Sequence, residues 1–195
     1  MRFDIVLPTI GRPSLVDAIQ SVLNQDYQDW KLWVYEQGSF SDFSSLIKNG
    51  CLPFAYWQDP VVRNDSGTHA RNAMIQTGTS QWITYIDDDD IWLPNHLSTI
   101  ASLTEANPDV TMIRTAGQSF SWKHKSPRSS KLVRKLGAVN STDILTVGMA
   151  HTRNLFKLTQ GFQPCDNHDK LLWKQMLSLG GKPAVSDAVT FQFER

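Results

Sequence analysis

Trp82-Ile83-Thr84-Tyr85-Ile86-Asp87-Asp88-Asp89-Asp90-Ile91-Trp92-Leu93-Pro94 sets five aromatic or β-branched residues directly against four carboxylates. The first five read as a buried strand. The aspartates begin where that strand stops, which in an open parallel sheet is where loops and helix N-termini converge on a ligand crevice. Four neighbouring negative charges repel one another unless they are solvated, capped by helix dipoles or neutralised by a cation. A hard divalent ion, Mn2+ or Mg2+, suits oxygen-only ligands and keeps open positions for phosphate oxygens. A solvated acidic loop capping the next helix explains the run about equally well.

Outward from this stretch, short β-branched or aromatic runs alternate with segments of helical period, the pattern of crossover units building a mainly parallel sheet. Phe3 to Leu7 reads as the first strand, with Ser14 as N-cap of a helix that buries Leu15, Ala18, Ile19 and Val22. Leu32 to Tyr35 is a second strand, Phe43 to Ile47 a short helix and Phe54 to Trp57 a third strand. Ser66 caps a helix through Ala70, Ala73 and Met74 that ends near Gly78. Leu97, Ile100, Ala101 and Leu103 mark another helix, and Val110 to Ile113 a strand. A last helix starts near Asn167 and buries Leu172, Trp173, Met176 and Leu177. Between them, Val110 to Thr142 holds no acidic residue but carries Lys123, Lys125, Arg128, Lys131, Arg134 and Lys135, and reads as a mobile basic loop.

The fold class is therefore α/β, a mainly parallel central sheet flanked by helices, and 195 residues with 41% apolar and 19% charged side chains suit one domain over 1–195. Lys+Arg and Asp+Glu are equal at 19 each, so no global field attracts nucleic acid or an acidic membrane. Cys51 and Cys165 stand in no metal-ligand spacing and fit a reducing compartment. No stretch approaches a membrane span or a signal-peptide core, which predicts a cytoplasmic protein with peripheral membrane attachment left open.

The segment Ile83 to Pro94 resembles the Asp-x-Asp region of family 2 glycosyltransferases with the GT-A fold. Asp4-Ile5-Val6-Leu7-Pro8-Thr9 is similar to their opening strand, and Ala70-Arg71-Asn72 to their characteristic helix start. Val34-Tyr35-Glu36-Gln37-Gly38-Ser39 falls where the family carries two aspartates before Gly-Ser. Gly161-Phe162 and His168-Asp169-Lys170-Leu171-Leu172-Trp173 resemble the segment ending in Glu-Asp before an amphipathic helix, with His168 where Glu is usual.

The resemblance implies a Rossmann-like GT-A domain that moves a sugar, with inversion, from a nucleoside diphosphate donor to an acceptor hydroxyl, UDP-sugars being the expected donors. It implies that Asp169 is the catalytic base and that Asp89 holds Mn2+ or Mg2+. Pro8, Thr9, Glu36, Arg71, Asp87 and Asp88 are expected on the donor, with Glu36 accepting a hydrogen bond from the base. His168 and Trp122 are expected on the acceptor side, and His151 is a further candidate neighbour of metal or phosphate. A sugar nucleotidyltransferase is the rival enzymatic reading, although Gly11-Arg12-Pro13 is too sparse for a phosphate cradle. A non-catalytic cation- or carbohydrate-binding domain is the rival outside enzymes.

Overall fold

The computed structural model describes residues 1–38, 54–121, 126–127, 133–134 and 144–194. The helix expected over 43–47 lies outside these residues, as do Trp122 and most of the basic segment.

Two crossover units open the chain: β1 (Phe3–Thr9), α1 (Leu15–Leu23) and β2 (Trp30–Gln37), then β3 (Phe54–Asp59), α2 (Thr68–Thr77) and β4 (Trp82–Tyr85). Their strands lie parallel in the order β3-β2-β1-β4. The chain continues through β5 (Ile91–Trp92), α3 (His96–Ala106), β6 (Met112–Ser121), β7 (Ser126–Pro127), β8 (Val133–Arg134), β9 (Met149–Thr152), α4 (Arg153–Lys157), α5 (His168–Ser178) and β10 (Pro183–Glu194). Among the described residues these extend the same sheet as β4-β9-β6-β10-β5. The expected mainly parallel, helix-flanked sheet is present, with β9 running against both its neighbours and β10 parallel to β6. Among the described residues no helix is long and apolar enough to cross a membrane.

Strand alternation builds one core layer on each face. Phe3, Ile5 and Leu7 pack with Leu32, Val34 and the apolar stripes of α1 and α3. Val6, Trp33, Ile83 and Tyr85 pack with Ala70 and Met74 of α2 and Leu172, Trp173 and Met176 of α5. Asp4 shares the second face and is buried. It accepts hydrogen bonds from Trp33 Nε1 at 2.9 Å, Ser80 N at 2.9 Å and Ser80 Oγ at 2.8 Å, and pairs with Arg153 Nη2 at 2.5 Å. These donors satisfy the buried carboxylate, so truncating Arg153 leaves an uncompensated charge and costs about 3–5 kcal/mol.

Helix starts differ in detail from the expected caps. Ser14 already has helical dihedrals and contributes its carbonyl to Ala18 N, with no side-chain cap. Before α2, Ser66 and Gly67 both take positive φ, 54° and 73°, and the N-cap position falls on Gly67 rather than Ser66. Asp65 caps instead, accepting from Gly67 N at 3.0 Å, Thr68 Oγ1 at 3.2 Å and His69 N at 2.8 Å.

Candidate active site

A cleft of about 650 Å³ opens beyond the carboxyl ends of β1, β2 and β4. Pro8, Thr9 and Arg12 form one wall, and Asp87, Asp88 and Asp89 form the floor after β4. Arg63, Ser66 and Gly67 from the turn before α2, together with Arg71 and His168, close the other side. The turn is held from below: Asp59 accepts from Val61 N, Arg63 and Tyr35, which keep its carboxyl down at about 2.

The four aspartates divide their tasks. Asp88 is buried and turned toward β1, accepting from Thr9 Oγ1 at 2.7 Å and Ile10 N at 3.2 Å. It thereby locks the loop after β1, a structural role that the sequence did not announce. Arg12 Nη1 bridges Asp88 Oδ1 at 2.7 Å and Asp89 Oδ2 at 2.9 Å. Asp87 pairs with Arg71, whose side chain is 4% exposed and whose Nη1 also donates to Ser66 O at 2.5 Å. Asp90 is buried beneath the run. Burial pushes the Asp89 carboxyl up to about 6, and the charges of Asp87 and Asp88 push the same way against the opposing pull of Arg12.

Pro8, Thr9, Arg71, Asp87, Asp88, Asp89 and His168, all expected from sequence, thus meet in one cleft. Glu36 does not join them. It shares strand parity with Leu32 and Val34, so its carboxylate points into the layer beneath α1 and accepts from Tyr56 Oη. Gln37, one residue on, lines the cleft, and its buried Nε2 has no hydrogen-bond partner among the described residues. Alternation along β2 was the signal for this, since Trp33 and Tyr35 belong to the α2 face.

Asp169 sits in the first turn of α5, half-buried beside His168, where Oδ1 accepts from Lys170 N at 2.7 Å. Burial raises its carboxyl, while burial and then the Arg71 charge lower the His168 imidazole. His168 Nδ1 lies 3.2 Å from Cys165 O. His151 is not a cleft residue. It is fully buried between Tyr85 and Phe156, 2.5 Å from Tyr85 Oη, and burial holds its imidazole down at about 4. A neutral core histidine is the physical outcome of that desolvation.

Among the described residues no three carboxylate, imidazole or thiol side chains converge on one metal position. The donor chemistry still fits a hard dication. Asp87 and Asp89 present oxygens to the cleft, and burial leaves the Asp89 carboxylate short of solvent, so that a cation from solution favours its charged form. Such an ion completes its shell with water and phosphate oxygens.

Known proteins share this arrangement at the level of the fold. The S. aureus protein TarS, solved with UDP-GlcNAc, superposes with a TM-score of 0.82 at 14% identity, covering 100% of this chain and 59% of that one. The mannosyltransferase PcManGT of Pyrobaculum calidifontis, solved with GDP-Man and Mn2+, gives 0.76 at 14% identity over 98% of this chain and 56% of that one. In sequence, the E. coli UDP-Glc:alpha-D-GlcNAc-diphosphoundecaprenol beta-1,3-glucosyltransferase WfgD is 28% identical over 107 residues, 53% of this chain and 41% of WfgD. The chain spans between 15% and 41% of the length of the curated relatives it matches. The sequence pattern of glycosyl transferase family 2 runs from residue 4 to residue 159, through β1, the acidic run and β9, and on that match the chain belongs to glycosyl transferase family 2.

Proposed function

We propose that this chain is a GT-A glycosyltransferase domain over 1–195 that moves a sugar from a nucleoside diphosphate donor to an acceptor hydroxyl with inversion. The observation that supports it best is the meeting of Asp87 and Asp89 with Arg71 and His168 in one cleft at the strand ends. UDP-sugars are the donors of choice, in keeping with the ligand of TarS and with the UDP-Glc donor in the name of WfgD. The acceptor is the hydroxyl of a carbohydrate or of another carrier.

In this reading Asp169 takes the acceptor proton as the acceptor oxygen bonds to the anomeric carbon from the face opposite the diphosphate. The donor C–O bond breaks and its electron pair leaves with the nucleoside diphosphate. The desolvation that raises Asp169 brings its basicity closer to neutral pH, where a general base works best. Arg71 offsets negative charge on the donor once the diphosphate competes with Asp87 for it. Asp89, with Asp87 beside it, would hold Mn2+ or Mg2+, which supplies stabilisation of the charge that develops on the leaving diphosphate. Gln37, rather than Glu36, faces the base: an unpartnered amide donor calls for a carbonyl acceptor such as that of uracil.

A thermal-shift panel of nucleoside diphosphates, each with and without Mn2+, tests the donor side of this reading. Stabilisation by UDP that needs the metal is the expected result. A flat panel would sink the reading.

A further inference from the structure

Asn72 follows Arg71 on α2 and makes a two-point clasp on a residue 90 positions away. Its Nδ2 donates to Phe162 O at 2.9 Å, and its Oδ1 accepts from Phe162 N at 2.9 Å. Both halves of one side-chain amide are thus spent on one backbone position, in the manner of a strand pair. Gly161 is shaped for this contact: its φ is +71°, and a Cβ there would meet Asn72 Oδ1 at 2.8 Å.

The clasped residue is not a passive neighbour. The Phe162 ring is 2% exposed. It carries the Arg71 guanidinium over its face at 5.6 Å and meets the His168 imidazole at 5.7 Å and Tyr85 edge-on at 5.3 Å. One aromatic ring therefore spaces the arginine of the donor side from the histidine that precedes Asp169. Its backbone is gripped by the residue next to that arginine.

We propose that Asn72 is a positioning residue which, through Phe162, holds Arg71 and the His168–Asp169 pair at a fixed separation, so that the bound donor and the base face each other in register. This rests on the glycosyltransferase reading above. Asn72 is not among the residues that line the cleft. It acts on chemistry by orientation, where a misplacement of about 1 Å costs up to about 100-fold in rate.

The test compares wild type with Asn72→Asp and Asn72→Ala by three measurements. These are UDP affinity with Mn2+, steady-state hydrolysis of UDP-sugars with water as acceptor, and NMR of the His168 imidazole protons, which sense the Phe162 ring. Asn72→Asp keeps size and the acceptor for Phe162 N–H while losing the donor, so it reports even if the alanine variant folds poorly. The expected result is a kcat lowered about 10- to 100-fold in Asn72→Ala and by less in Asn72→Asp, UDP affinity within about threefold, and a shifted His168 resonance. A folded variant with unchanged kcat and unchanged His168 resonance would overturn the proposal. If wild type binds no nucleotide, the glycosyltransferase reading fails by itself, and the His168 resonance alone then decides whether Asn72 sets its position.

Discussion

Glu36 and Gln37 are neighbours on β2 that face opposite layers, Glu36 toward Tyr56 beneath α1 and Gln37 into the cleft. The two substitutions at this strand end therefore separate stability from recognition. Gln37→Ala is expected to weaken UDP binding roughly fivefold, the worth of one net hydrogen bond. Glu36→Ala is expected to lower the melting temperature and leave the order of nucleotide preference intact. Competition among UDP, GDP and ADP checks both, and the reverse pattern would return base recognition to Glu36.

Asp89 gives a stability signature with a defined sign. Its folded-state carboxyl lies at about 6 against 3.8 for an unperturbed aspartate, so its favourable contribution to the fold exists below about pH 4 and is lost as pH rises through about 6. Without metal, Asp89→Asn is expected to melt higher than wild type at pH 7.5, with the gap closing near pH 4. The same variant is expected to lose the Mn2+-dependent part of UDP binding. Melting curves across that range, followed by calorimetry, decide it.

Arg12 bridges two of the carboxylates and so stands as a competitor for any cation that Asp89 recruits. Removing a half-exposed guanidinium changes affinity modestly, and Arg12→Ala is expected to tighten Mn2+ binding in the absence of nucleotide about two- to fivefold. Electron paramagnetic resonance of free Mn2+ measures this directly. Weaker binding in the variant would assign Arg12 a supporting role instead.

Asp169→Asn keeps shape and removes the base. Metal-dependent UDP affinity and melting temperature are expected to hold, while transfer falls on the order of 10²- to 10⁴-fold. His168→Ala is the comparison, with a smaller loss. Wild-type turnover by a folded Asp169→Asn protein would remove this carboxylate from the mechanism.

The parts of this fold that sequence made legible are those that carry their own periodicity. β1, α1 and β4 announce themselves through alternation, a stripe and an apolar run, and the aspartates after β4 mark the ligand end of the sheet. β10 was not legible, because Pro183 to Glu194 mixes Pro, Ser and Asp with apolar residues and is a strand by virtue of its partners β6 and β5. Arg12 was set aside as part of a sparse turn, since the carboxylates that give it meaning lie 76 and 77 residues downstream. Glu36, expected on the donor, points away from the cleft that its neighbour Gln37 lines. Position in a motif does not state which face a strand-end side chain takes, whereas counting parity from Leu32 and Val34 does.

β5, the two residues that follow the aspartates, is pinned by the far end of the chain: Trp92 pairs with Phe191, and Leu93 N donates to Thr190 O at 2.8 Å. The frame beyond the acidic run is thus a contact of very long sequence separation, the kind that forms late because chain-closure entropy must be met first. During synthesis, a nascent chain lacking residues 183–194 would have its first two crossover units and their holds on Asp87 and Asp88, but not the strand that pins Trp92 and Leu93 beyond Asp90. Closure of this frame then reports that residues 183–194 have docked, not merely that the two crossover units have formed.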